Sequence, residues 1–469
     1  MKINTAINWF RKDLRLSDNP SLSKASNYQN IYNIFILDEI NSKDYLYGSA
    51  SKFWLNNSLK SLNNSLDNSL SFYKGNPIDI FKDIISRFEI NSVYWNRCYE
   101  EWEIKRDTEI KLYLKSRGIN VETFNASLLW EPWEISKNDN TPYKVFTPFY
   151  RRGCLGYKNP REPLIKPKFK NLLKDEKKSL NLNEFELIPN LKWIKKLRKN
   201  WNIGEVQAQI KFENFLKKSI NSYKEGRDVP SKESVSKISP HLHFGEISPN
   251  QLWYKIRNFG DDKNIDHFCS ELGWREFSYS QLYFNPKLPK QNLQSKFDNF
   301  PWSNNLSNLN AWQNGMTGIP MVDAGMRELW QTGFMHNRLR MITGSFLVKN
   351  LLIHWHYGER WFWDCLVDAD LASNSAGWQW IAGCGADAAP FFRIFNPVTQ
   401  GQKFDPKGIY VRQYIPEIAN LPNKYLFDPW NAPSNILEEA NINLGSTYPL
   451  PLVDLKTSRE KALLAFKSI

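Results

Sequence analysis

The chain has 469 residues, enough for two or three domains with a sizeable core. No apolar run reaches the roughly 18 residues that would span a bilayer, and the start, MKINTAINWFRKDLRL, lacks a signal peptide's apolar segment and cleavage site. Five cysteines without CxxC spacing imply a reduced, cytoplasmic protein, and a net charge of +13 (62 Lys and Arg against 49 Asp and Glu) implies an anionic partner, nucleic acid first. Much of that excess is Lys in an Asn-, Lys- and Ile-rich sequence, so charge alone does not separate a binding face from a solvated surface. The 19 tryptophans are a sharper signal, because each is bulky and its N–H needs a partner when buried.

From the N-terminus, short β-like runs alternate with helical stretches. Strands are expected over TAINWF (5–10), IYNIFIL (31–37), SVYWN (92–96) and VETFNASLLW (121–130). Helices are expected over 49–70 and 77–89, the second with Ile78, Phe81, Ile85 and Phe88 on one face. This alternation predicts an α/β domain with a parallel sheet over residues 1–130. No GxGxxG follows the first strand, which argues against the usual dinucleotide site. Residues 131–202, including KNPREPLIKPKFKNLLKDEKK, are rich in Lys, Asn and Pro and read as a long linker over the surface. From 203 to 469 the pattern is helical. Val206, Ile210, Phe215, Leu216, Ile220 and Tyr223 recur at three- to five-residue steps, and further helices are expected over 249–258, 264–284, 320–332 and 335–353. The expected fold class is an α/β N-terminal domain, a long linker and an all-α C-terminal domain.

Four groups of residues could carry chemistry. In GRDVPSKESVSKISPHLHFGEISP (226–249), Ser234, Ser236 and Ser239 stand among Lys232, Lys237 and prolines, either as an anion site or as a capping loop. His241 and His243 bracket Leu242, and His354 and His356 bracket Trp355. Neither pair has Cys, Asp or Glu at zinc-like spacing, so these read as structural histidines and no metal site is expected. In SELGWREFSY (270–279), helical spacing puts Glu271, Trp274, Arg275 and Ser278 on one face, as a Glu271–Arg275 pair against a core or as a Trp that stacks on a base. The densest stretch is 335–397. There Arg338 and Arg340 lie in an apolar helical pattern, and Asp368, Asp370 and Asn374 follow among Trp355, Trp361, Trp363, Trp378 and Trp380. Buried charge is costly unless paired, so these groups either face solvent or line a pocket for something polar and aromatic. Asn337, Arg340, Met341 and Gly344 share a helical face. Asp368 or Asp370 can supply the carboxylate that Arg340 needs, and Gly344 leaves room for something close to the backbone.

Together these motifs resemble the photolyase/cryptochrome flavoprotein family over nearly the whole chain. WFRKDLRLSDNPSL (9–22) is similar to the family's N-terminal signature. SKISPHLHFGEISP, ELGWREF, TGIPMVDAGMRELWQTGFMHNRLRM (317–341) and DADLASNSAGWQW (368–380) are similar, in order, to its flavin-domain signatures. Within the family the sequence looks like the bacterial class I cyclobutane pyrimidine dimer photolyases. The resemblance implies a C-terminal FAD-binding domain and reduced, anionic FAD. It implies a reaction in which light drives an electron from FAD to a cyclobutane pyrimidine dimer in DNA and back, with the cofactor carrying the hard chemistry. A monomer without membrane contact or an obligate protein partner is implied as well.

The resemblance also implies roles at matching positions. Tyr223, Val235, Ser236, Lys237, Ile238 and Ser239 would hold the FAD diphosphate and ribityl region. Glu271, Arg275, Asn337, Arg340, Asp368, Asp370 and Asn374 complete the cofactor set, with Asn374 facing flavin N5 and Arg340 paired to Asp368. Trp302, Trp355 and Trp378 match the tryptophan triad that passes electrons inward from the surface. Trp274 and Trp380 would wedge the dimer, flipped out of the stack as by other enzymes that act on bases, photolyases being a standard example. Glu271 and Asn337 would read it and, with Asn374, make the catalytic set, while Met341 contacts it. Arg227, Arg275, Arg338 and Arg393 would meet backbone phosphates.

Two positions depart from the pattern. The family's phosphate motif usually begins with Thr where this chain has Val235, and Ser234 or Ser236 would supply the missing hydroxyl. In NRCYEEWEIKRD (96–107), Trp102 precedes Glu103 where folate-binding members have Asn before Glu. Glu103 keeps a methenyltetrahydrofolate antenna open, beside a deazaflavin or none. The rival readings are a cryptochrome-type blue-light receptor, a 6–4 photolyase and a non-catalytic DNA-binding flavoprotein. Asn374, the complete substrate set and the chain end at Ile469 favour a dimer photolyase over a cryptochrome. Asn337 and Leu339 differ from the histidine pair of the 6–4 enzymes.

Overall fold

The computed structural model describes residues 4–188, 193–388 and 393–469. Strand β1 (Thr5–Phe10) is buried at every position, as expected of a near-continuous apolar run at the centre of a parallel sheet covered on both faces. Around it lie β2 (Asn30–Leu37), β3 (Ser71–Lys74), β4 (Ser92–Asn96) and β5 (Asn120–Phe124), all parallel, in the order β3-β2-β1-β4-β5. Helices α1 (Pro20–Ala25), α2 (Ser49–Ser65), α3 (Pro77–Arg87) and α4 (Glu101–Ser116) make the four crossovers. Ile7, Trp9, Ile34, Val93 and Trp95 form the core on one face with Phe81 of α3 and Ile110 of α4, while Ala6, Ile31 and Tyr94 pack with Ala25 on the other.

Three strands differ from expectation. β3 forms where no strand was expected. β5 stops at Phe124 rather than 130, because Asn125 Oδ1 accepts from the Ser127 and Leu128 backbone N–H groups and turns the chain. Residues 171–173, expected within a surface linker, form a sixth strand, β6, paired to Asn30–Tyr32, while β3 pairs further along the same edge of β2. Asp175 just beyond is buried and accepts from Tyr73 Oη and Arg87 Nη2, each at 2.7 Å. At the crevice between the carboxyl ends of β1 and β4, where sheets of this order take ligands, Arg11 donates to the Asn96 carbonyl. Asn96 in turn reaches Asp13 and Asn19.

The chain divides into two compact units, one of Met1–Ile194, Trp201–Lys218 and Ser236–Pro286, the other of Lys195–Asn200, Ser219–Val235 and Lys287–Ile469. The first unit therefore includes α5 (Glu205–Lys218), α6 (Pro249–Arg257) and α7 (Lys263–Phe284). α5 buries Ala208, Phe212, Phe215 and Leu216, whereas Val206 and Ile210 stay 62% and 46% exposed. At 100° per residue those two fall opposite the buried stripe, so the apolar face of α5 excludes them.

The second unit holds α8 (Pro320–Thr332), α9 (Asn337–Ser345), α10 (Trp355–Cys365), α11 (Leu371–Ala382) and α12 (Pro397–Phe404). Its core gathers Trp312, Met335, Leu339, Phe346, Trp355, Phe362 and Trp378. The helix expected over 335–353 is α9 followed by a π-helical turn, Phe346–Asn350. Among the described residues no strand follows Leu173, and no helix is long and apolar enough to cross a membrane.

Candidate functional site

In the second unit, three consecutive helices assemble the charged residues. His336 caps α9, its Nδ1 accepting from the Arg338 backbone N at 3.2 Å. Asn337 is exposed at the first turn, and Met341 is half-buried one turn on. Arg340 donates through Nε to the Met335 carbonyl (2.8 Å) and through Nη2 to both oxygens of buried Asp368 (3.0 and 2.9 Å). The expected pair therefore forms with Asp368. Asp370 instead caps α11, accepting from Ser373 N at 2.9 Å. Arg340 Nη1 has no hydrogen-bond partner among the described residues, which leaves a guanidinium edge to offer an acceptor.

Asn374, on the first turn of α11, donates from Nδ2 to the Glu359 carbonyl of α10 at 3.0 Å, which orients its amide. The Glu359 carboxyl accepts from Ser375 Oγ and is buried; burial pushes its pKa up to about 7, while Ser375 and Arg360 act to lower it. Glu359 was missed from sequence. The available signal was an acid within the stripe that α10 buries, Trp355, Gly358, Glu359, Phe362 and Cys365.

The three triad candidates meet one core cluster. Trp378 packs edge-on to Phe362 (4.9 Å) and Trp312 (6.2 Å), and its ring rests on Gly358. Trp355 donates from Nε1 to Asn292 Oδ1 at 2.9 Å and touches His356 (3.9 Å) and His354 (5.6 Å). Half-buried Trp302 meets His354 at 4.9 Å, so His354 touches both tryptophans. His354 caps α10, and burial lowers the pKa of both imidazoles, that of His356 to about 4. The space expected over Gly344 is filled by Ile381 and Trp378, which a Cβ there would meet at 2.9 and 3.5 Å. Trp380 donates to the Asp387 carbonyl at 3.1 Å. Arg393 is exposed, and its carbonyl accepts from Lys349.

Two arginines expected at DNA phosphates are engaged within the protein. Arg338 pairs with Asp228 at 2.7 Å and lies over Phe404 at 4.1 Å. Arg275 donates to the Ser127 carbonyl at 2.6 Å and lies over Tyr279 at 4.9 Å. Arg338 thus meets a carboxylate distant in sequence, whereas the carboxylate nearest Arg275 is that of adjacent Glu276 at 3.6 Å. Arg227 sits 5.8 Å above the Tyr223 ring.

The remaining predicted residues lie in the first unit, except Ser234 and Val235, which belong to the second. Along α7, Glu271, Trp274, Arg275 and Ser278 are all half-buried while Leu272, Gly273, Glu276 and Phe277 are buried, so they share the face that their spacing predicts. Trp274 stacks on Phe146 with centroids 3.8 Å apart. Glu103 is buried, 3.3 Å from Lys12 Nζ, and lines a small cavity that Arg275, Tyr99, Tyr279 and His243 also line. Structure thus brings together Glu103 and Arg275, which sequence had given to different ligands. Lys237 and Ser239 are exposed, Ser236 is half-buried and Ile238 is buried, with Lys237 in the left-handed region (φ +50°). Val235 closes one unit's segment and Ser236 opens the other's. Ser234 Oγ packs on Gly226, leaving Ser236 as the accessible hydroxyl beside Val235. The five cysteines are buried thiols, and among the described residues no three His, Cys, Asp or Glu side chains form a metal-binding group.

Comparison with known proteins decides what this arrangement belongs to. A DNA photolyase family model matches residues 6–168, and a model for the FAD binding domain of DNA photolyase matches 268–468. The chain is 43% identical to a deoxyribodipyrimidine photo-lyase of Agrobacterium fabrum over 479 aligned residues, 100% of this chain and 99% of that one. It belongs to the photolyase/cryptochrome family. It is also 35% identical to Cryptochrome-1 of Arabidopsis thaliana, over 97% of this chain and 69% of that one. Its structure superposes on a bacterial class III photolyase from Agrobacterium tumefaciens with TM-score 0.95 at 42% identity, covering 100% and 98% of the two chains. Family membership establishes the N-terminal parallel α/β domain and the helical C-terminal FAD-binding domain. The donors in the second unit suit that cofactor: an arginine edge without a partner among the described residues and an oriented neutral amide fit an anionic, planar group.

Proposed function

We propose that the protein is a DNA photolyase that repairs cyclobutane pyrimidine dimers in light. Reduced, anionic FAD, when bound, supplies the excited-state electron transfer. Asn374 carries the reading: it is a neutral amide, held by the Glu359 carbonyl, at the position assigned to flavin N5. A neutral group there does not oppose negative charge, as a carboxylate would. Arg340 balances that charge, and Asp368 keeps the arginine paired. Tyr223, Asp370, Ser236, Lys237, Ile238 and Ser239 complete the proposed cofactor set. Glu271, Trp274, Asn337, Met341 and Trp380 are assigned to the dimer, and exposed Arg393 to DNA phosphate.

Trp302, Trp355 and Trp378 are assigned to inward electron transfer, and their place around one core supports this. The likeness to the Agrobacterium tumefaciens structure favours class III over the class I expected from the motifs. Glu103, which lines the small cavity with Lys12 and Arg275, keeps a folate antenna open beside a deazaflavin or none.

The test is light-dependent repair. FAD-loaded protein should restore a thymine-dimer oligonucleotide in blue light and not in the dark, and leave a 6–4 lesion unrepaired. Absence of dimer repair would overturn the proposal; FAD binding without repair of either lesion would support a blue-light receptor instead.

A further inference from the structure

Phe146 lies outside every motif considered above. It opens a short helical turn, Phe146–Pro148, that runs into a π-helical turn, Phe149–Cys154. π-turns are rare and concentrate at functional sites. The Phe146 ring is buried and stacks on Trp274 face to face, centroids 3.8 Å apart and planes 10° apart. Tyr150 lies parallel to Phe146, at 5.7 Å and 6°, and its own ring presses on Gly273, where a Cβ would come within 2.5 Å of it. Phe149 completes the support against Phe277 at 5.1 Å. Phe146 therefore covers one face of the half-buried Trp274 indole and fixes its plane.

We propose that Phe146 is a positioning residue for lesion recognition, holding the half-buried Trp274 so that the face of the indole opposite Phe146 is preset to stack on the flipped pyrimidine dimer. The inference rests on the assignment of Trp274 to the dimer. Stacking on a base gains most when the aromatic platform is ordered before binding, since an unsupported side chain gives up rotamer freedom on association. Removing the support should weaken dimer binding by about 2- to 10-fold. Binding to undamaged duplex depends on phosphate contacts and should not change.

The experiment titrates FAD-loaded, full-length protein with dimer-containing and undamaged duplex, for wild type, Phe146→Leu, Phe146→Tyr and Trp274→Ala. Phe146→Leu should lose affinity for dimer DNA alone, with FAD content retained, and Phe146→Tyr, which keeps the ring, should bind as wild type. If Phe146→Leu loses FAD, Phe146→Met takes its place with the same expectation. Wild-type dimer affinity in the ringless variant, beside impaired Trp274→Ala, overturns the inference and leaves the Trp274 assignment standing. So does an equal loss on both duplexes, which marks a structural role. Unchanged dimer affinity in Trp274→Ala overturns that assignment and the inference with it.

Discussion

Gly358→Ala tests the packing that places Trp378. Gly358 belongs to the buried stripe of α10, and a Cβ there would sit 2.1, 2.5 and 2.6 Å from Cη2, Cζ3 and Cζ2 of Trp378. Carbon atoms rest about 3.5–4.0 Å apart, so the ring would have to retreat by more than about 1 Å. Trp378 is 2% exposed, with Phe362 and Trp312 against it, so there is no space to retreat into. Overpacking of this kind costs about 1–3 kcal/mol, and three atoms in conflict put it at the upper end. Alanine returns about 1 kcal/mol of helix propensity, leaving a net destabilisation of about 2 kcal/mol. Urea unfolding of the FAD-loaded protein should show a lower midpoint with an unchanged slope. Gly377→Ala on α11 is the internal control, since a Cβ there meets nothing within 4 Å and only the propensity gain should register. If Gly358→Ala matched Gly377→Ala, the Trp378 ring would not rest on Gly358 and the reasoning would fail.

Two further predictions address electron transfer and charge. Trp378→Phe should abolish photoreduction of oxidised FAD while enzyme reduced beforehand still repairs dimers; intact photoreduction would remove Trp378 from the path. Burial raises the Glu359 carboxyl from its ordinary 4.5 to about 7, so the folded protein holds a proton that the unfolded chain releases. Its contribution to stability is present below about 4.5 and is lost as pH rises through about 7. Buried Glu100 and Glu276 are also raised to about 7, so the informative quantity is the stability difference between Glu359→Gln and wild type across pH. That difference should shift in favour of the variant as pH climbs from about 5 to about 8, and a flat difference would refute the assignment.

The central strands were legible because β1, β2 and β4 are buried on both faces, and such strands are written as continuous apolar runs. The half-buried face of α7 could likewise be read from helical spacing, and Arg340's need of a carboxylate from the cost of an unpaired arginine, but not the choice of Asp368 over Asp370. β3 and β6 could not: four and three residues are too few to set a period, and only pairing along β2 makes them strands. Arg275 and Arg338 show the same limit for charge. The family resemblance implied phosphate for both, but Ser127 reaches Arg275, and Asp228 and Phe404 reach Arg338, from elsewhere in the chain. Periodicity and residue chemistry are local and survive in the sequence. Which carboxylate meets which arginine, which ring covers Trp274 and which face of Asn374 is anchored depend on elements that meet only once the chain has packed.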